Sequence, residues 1–149
     1  MTKTVTASLG MEPGSLATDV LVRHHRFGVD EAPPRYDSTD AHPDPYDYIL
    51  AGLAACTLIS IRLAAEAKSY PLERAEVDVT FERCPPAEPG GQPDRITRII
   101  TLHGDGLTDL HRLRLIRAAD CAGYKSITTG IPIETRAADE GRWGTLSDT

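Results

Sequence analysis

The chain has 149 residues, 40% of them hydrophobic and 26% charged, which suits one domain with a core of its own. Lys plus Arg is 16 and Asp plus Glu is 22, a net charge of −6, so nucleic acid is excluded as the main partner for want of a basic face. No run of 18 apolar residues occurs, and residues 1–10 carry a single Lys and no apolar segment; neither a membrane span nor a secretory signal is expected, and the expected location is cytoplasmic.

Residues 3–9 alternate weakly and predict a first strand, and residues 17–30 predict one bent strand or two short ones. A Pro- and Asp-rich loop of about fifteen residues follows, a length that in compact domains often marks function. It leads into the strongest helix of the chain. Asp44 is placed to cap it, Pro45 suits the first helical position, and Asp47 puts negative charge in the first turn, where the helix dipole favours it. Residues 48–61, YILAGLAACTLISI, are apolar almost all round; polarity returns at Arg62, Glu66 and Lys68, and Pro71 ends the segment. The helix is predicted over roughly 45–69, about 36 Å long. So short a chain cannot cover such a helix on every side, so a homodimer is expected, with this helix at its centre.

Residues 75–83 predict a half-buried strand with Val77, Val79 and Phe81 on one face, residues 84–94 a Pro/Gly loop, and residues 95–103 the second strand of a hairpin. A second helix is predicted after a Thr108 or Asp109 cap, with Leu110, Leu113, Ile116 and Ala119 on its apolar stripe, Cys121 in its last turn and Gly123 as its stop. Ile131 and Ile133 predict a closing strand, and the polar tail from Arg136 carries Trp143. The fold class is therefore α+β, a single domain over 1–149 in the order β-β-α-β-β-α-β. Neither a βαβαβ alternation nor a glycine-rich phosphate loop is present, so nothing supports a nucleotide fold.

Three cysteines, Cys56, Cys84 and Cys121, are odd in number and widely spaced, with no CxxC pair; this predicts neither a disulfide framework nor a zinc ribbon. His24, His25, His42, His103 and His111 lack metal-ligand spacing, and no metal or other cofactor is expected. From the residues alone, the thiols are either buried and inert or a redox pair.

Residues 44–83, DPYDYILAGLAACTLISIRLAAEAKSYPLERAEVDVTFER, resemble the heart of the OsmC/Ohr family: a Pro-Tyr helix entry, a small-residue helix reading Ala-Ala-Cys-Thr, a Tyr-Pro-Leu turn and an alternating strand. HHRFGVDEAP upstream is similar to the family's strand ending in Asp-Glu-Pro, and ITRIITLHGDGL downstream, with the following helix and Cys121, matches in order; the resemblance covers about residues 20–135. It implies an intertwined α+β homodimer with long central helices and active sites at the interface. It also implies a thiol-dependent peroxidase for organic hydroperoxides. Cys56 takes the peroxidatic role, Cys121 closes a disulfide with it, and an external dithiol, such as a dihydrolipoyl group, reduces the pair. The chain departs from the family pattern at four places. Cys121-Ala122-Gly123-Tyr124 stands where many relatives read Cys-Pro-Val-His. Asp37-Ser38 replaces a Gly-Gly and His42 a later Gly. Tyr46 holds the position of the Glu found in hydroperoxidase members, with the acid one step on at Asp47. An alternative from the same family is a non-enzymatic protein binding a small hydrophobic ligand in the dimer pocket.

Cys56 lies about eleven residues into its helix, beyond reach of the N-terminal dipole. Apolar surroundings favour the thiol over the thiolate, so a reactive Cys56 needs a nearby cation. Arg26, on the strand that carries the family-like motif, is the preferred candidate, ahead of Arg23 and Arg35, acting from the same chain or its partner. Asp47 and Tyr46 are the pocket candidates. Nine residues place Asp47 on the opposite side of the helix from Cys56, which favours a capping role, whereas Tyr46 lies about 80° from Cys56. Cys84 has no motif support and is read as an inert thiol.

Overall fold

Three short strands precede the long helix. The computed structural model describes residues 2–10, 13, 15–31, 40–82 and 95–119, and in them the order is β1 (Val5–Leu9), β2 (Thr18–Val22), β3 (His25–Val29), α1 (Pro45–Ala67), β4 (Arg74–Glu82), β5 (Arg95–His103) and α2 (Asp109–Ala118). The segment 17–30 is thus two strands, and three strands rather than two precede α1. The reason is a two-residue turn: Val22 pairs with His25, and Arg23 adopts φ 56° to reverse the chain. Such tight hairpins need left-handed backbone, usually supplied by Gly or Asn, and neither stands here to signal it. The expected closing strand at Ile131 and Ile133, the stop at Gly123 and Trp143 lie outside the described residues.

β1, β2 and β3 form an antiparallel sheet in that order. It meets α1 at Tyr48, whose hydroxyl donates to the Gly28 carbonyl at 2.6 Å and whose ring lies 4.9 Å from that of Phe27. Helix α1 begins as its sequence dictates. Asp44 Oδ1 accepts from Asp47 N (2.9 Å), Asp47 Oδ2 accepts from Asp44 N (3.1 Å), and Pro45 occupies the first turn. These two bonds satisfy donors that every helix start leaves without an intrahelical partner. At the other end Ser69 takes φ 50° and the helix stops before Pro71.

β4 and β5 pair antiparallel from Arg74↔His103 to Glu82↔Arg95. Along β4 every second residue, from Ala75 to Phe81, turns toward α1, as the alternation predicted. The core lies between this hairpin and the two helices: Ile61 and Ala65 of α1, Leu102 of β5, Leu107, Leu115 of α2, and Ala119. Thr108 caps α2 reciprocally with His111, and Arg112 Nη1 donates to the Leu102 carbonyl at 2.6 Å, holding α2 to β5. On the solvent face of the hairpin, Glu76 is held below its ordinary carboxylate range, first by its hydrogen bond with His103 and then by Arg74. The small stability this exposed cluster gives is present above that ordinary range and fades as pH falls through the lowered value.

The turn after β5 depends on Gly104. Its φ is +154°, and a Cβ there would lie 2.2 Å from the Pro71 carbonyl oxygen, a backbone atom with no rotamer to yield. Gly104→Ala is therefore expected to destabilise the protein by about 3 kcal/mol through overpacking and backbone strain. Urea unfolding that shows a midpoint equal to wild type would contradict this.

Candidate functional site

Helix α1 has two unlike faces. Leu53, Thr57, Ile61 and Ala65, spaced by four, are buried. Ile49, Gly52, Cys56, Ile59 and Leu63, spaced by three and four, form a stripe on another side of the helix. In the protomer Ile49, Ile59 and Leu63 are 60%, 59% and 60% exposed, while Cys56, at the middle of the stripe, is half-buried. An apolar row this exposed is not what a finished surface presents.

Beside Cys56 the inner face of α1 carries a polar knot. Thr57, only 1% exposed, donates its hydroxyl to the Leu53 carbonyl at 2.8 Å. Its Oγ1 accepts from Arg98 Nη1 at 3.0 Å, and the same nitrogen donates to the Ala119 carbonyl at 3.1 Å. Arg98 comes from β5 and Ala119 is the C-cap of α2, so three elements meet one residue along α1 from the thiol.

The predicted residues are distributed as follows. Asp47 is engaged in the capping box, in keeping with its place opposite Cys56. Tyr46 stacks on Phe81 of β4, ring centroids 5.1 Å apart and planes 11° apart, at the entry of α1. Arg26 is exposed on β3, on the face opposite Phe27, and Phe27 is the residue that packs on α1; within one protomer Arg26 therefore points away from the helix. Arg23 sits exposed in the β2–β3 turn. Arg35, Cys84 and Cys121 lie outside the described residues. Among the described residues no cluster of His, Cys, Asp and Glu is arranged to hold a metal. A cleft lined by Leu58, Arg62, Leu72, Glu73, Arg74 and Ala75 opens between α1 and β4 without Cys56 in its wall.

Arg98 and Thr57 were not among the predicted site residues. A signal for Arg98 was present: in RITRIITLH the row Ile96, Arg98, Ile100, Leu102 shares one strand face, and a charge interrupts it. The same face holds Leu102 in the core and Ile100 packed against it.

Antiparallel sheets with one long and one short helix, and a mid-helix cysteine, define an α+β fold of the OsmC-like kind. The chain is similar over this fold to an OsmC-like protein from Mycoplasma pneumoniae, with a TM-score of 0.69, 21% identity and coverage of 85% of this chain and 87% of that one. It is similar also to an organic hydroperoxide resistance protein from Elizabethkingia anophelis crystallised with thiocyanate bound, with a TM-score of 0.64, 20% identity and coverage of 87% and 89%. The organic hydroperoxide resistance protein OhrB of Bacillus subtilis matches with a TM-score of 0.56, 18% identity and coverage of 86% and 91%. No curated protein matches the chain in sequence. The family described as OsmC-like protein matches residues 38–136, well over half of the chain, and the protein belongs to that family.

Proposed function

We propose that this protein is a thiol-dependent peroxidase that reduces organic hydroperoxides at Cys56. The observation that carries the reading is a half-buried thiol at the centre of an exposed apolar stripe, on the long helix of an OsmC-family chain. The Cys56 thiolate attacks the peroxide O–O bond, the distal oxygen stays on sulfur as sulfenic acid, and the alkoxide leaves and takes a proton to become the alcohol. The Cys121 thiol then displaces water from the sulfenic acid to form a Cys56–Cys121 disulfide, and an external dithiol, lipoyl-type, returns both thiols by exchange. The Elizabethkingia and Bacillus proteins, named for organic hydroperoxide resistance, support this chemistry by likeness of fold.

The functional unit in this proposal is a homodimer. α1 is long and apolar enough by composition to cross a membrane, but its inner face already rests on β4 and the core, and a second copy is the partner that suits its outer stripe. Arg26, which faces away from α1 in its own protomer, reaches a thiol in this reading only across that dimer. The other family reading, a binding protein for a small hydrophobic ligand, draws on Tyr46: where a hydroperoxidase carries an acid, this chain stacks an aromatic ring on Phe81.

The test is consumption of cumene hydroperoxide by the purified protein with dihydrolipoamide or dithiothreitol in excess. Turnover that continues until the hydroperoxide is spent is expected. Absence of consumption, with saturable uptake of an apolar fluorescent probe, would replace the peroxidase with the binding protein.

A further inference from the structure

We propose that Arg98 is a positioning residue for Cys56, fixing the C-terminal end of α2 on the middle of α1 and setting a positive charge beside the thiol's own turn of helix. The inference deepens the peroxidase reading, because it takes Cys56 as the reactive thiol.

The case begins with a conflict between pattern and placement. Arg98 occupies an inward position of β5, in the row that supplies Ile100 and Leu102 to the core. A packed strand face has no need of a guanidinium, and withdrawing one from water is unfavourable unless its partners are well placed. Here they are. Nη1 divides its donors between Thr57 Oγ1 at 3.0 Å and the Ala119 carbonyl at 3.1 Å, and Thr57 and Ala119 are each 1% exposed. Thr57 Oγ1 is engaged as both donor and acceptor, accepting from Arg98 while donating to Leu53 O. The Ala119 carbonyl stands at the negative end of the α2 dipole, where a cation is favoured.

What the knot joins gives it meaning. Thr57 follows Cys56 directly, and Ala119 lies two residues before Cys121 in the sequence. One guanidinium thus ties the turn of α1 that carries Cys56 to the C-cap residue of α2, and it is the described cation anchored on α1 at the residue next to Cys56. An apolar side chain at position 98 would fill the row but leave the Thr57 hydroxyl and the Ala119 carbonyl each with one partner fewer, and this side of α1 without that charge. Lysine keeps the charge, but its side chain is one atom shorter, so its ammonium stops short of the place where Nη1 meets both acceptors.

The experiment reads the thiolate directly. Purified wild-type protein, Arg98→Lys and Arg98→Met are alkylated with iodoacetamide across a pH series, and the rate is followed by mass spectrometry on the tryptic peptide spanning residues 36–62, whose one cysteine is Cys56. In Arg98→Met the pH midpoint of alkylation is expected to move up by about one unit, which lowers the rate below the midpoint about tenfold. Arg98→Lys is expected to recover most of that shift while losing peroxide turnover relative to wild type, because its shorter side chain does not carry the donor to both acceptors. Identical midpoints in wild type and Arg98→Met would overturn the proposal and leave Arg98 a purely structural tie. Should Arg98→Met not fold, Arg98→Gln, which keeps a donor without the charge, is read by the same criterion. Alkylation does not depend on peroxide turnover. A shifted midpoint in a protein that consumes no hydroperoxide would retain the role of Arg98 and remove the peroxidase.

Discussion

Cys56→Ser is expected to abolish hydroperoxide consumption while leaving the fold intact. The nucleophile in the proposed reaction is a thiolate; a serine hydroxyl at neutral pH has no comparable ionised fraction and cannot store the transferred oxygen as a sulfenic acid. A loss on the order of a thousandfold or more is expected, down to the background of the reductant alone. The exchange is nearly isosteric and Cys56 is only half-buried on the outer stripe, so the packing of Ile61, Leu115 and Leu102 is untouched. Thermal unfolding should stay within a few degrees of wild type. Cys121→Ser should instead permit one turnover, after which the Cys56 sulfenic acid accumulates or oxidises further. In wild type, one equivalent of hydroperoxide should yield a Cys56–Cys121 bridge by mass spectrometry and leave Cys84 as a thiol. Equal steady-state activity in wild type and Cys56→Ser would end the enzymatic reading.

The parts of the fold legible in the sequence are those where local chemistry and tertiary structure agree. Asp44, Pro45 and Asp47 are three consistent signals for one helix start, and the capping box forms there. Strict alternation from Ala75 to Phe81 gave the β4 face because a half-buried strand has no other way to arrange those residues. Legibility failed where a residue acts against its type. Arg23 takes a left-handed turn that glycine usually takes, so residues 17–30 read equally as one bent strand or two short ones, and the turn at Arg23 makes them two. Arg98 fills a core-facing slot, where residue type argues against a cation, whereas Arg26 stands on the strand that carries the family-like motif. The direction in which Arg26 points follows from the Phe27–Tyr48 contact, a long-range packing choice that alternation within one strand does not encode. The near-continuous apolar run of α1 likewise hid which of its faces is covered by its own chain. The split into a buried row through Thr57 and an exposed row through Cys56 exists only once β4 and α2 have docked.

That exposed row carries the second large expected effect. Ile59→Asp is expected to convert the proposed homodimer to a monomer at concentrations where wild type stays dimeric. Ile59 is 59% exposed in the protomer and belongs to none of its buried core, so the substitution leaves the protomer's own packing in place. In a two-fold dimer formed by apposed α1 helices the same residue is buried twice, once from each chain. Burial of one isoleucine contributes about 2 kcal/mol, so two copies lose about 4 kcal/mol, and each buried carboxylate adds a desolvation cost. At about 1.4 kcal/mol per tenfold, the dimer dissociation constant should rise by roughly a thousandfold or more. Ile59→Val, which keeps most of the apolar area, should remain dimeric and serves as the control. Sedimentation velocity at micromolar protein reads the outcome. A wild-type protein that sediments as a stable folded monomer, or an Ile59→Asp variant that stays dimeric, would show that the stripe around Cys56 is not the surface on which two copies meet. The apolar row would then have to be covered by substrate or by a different partner.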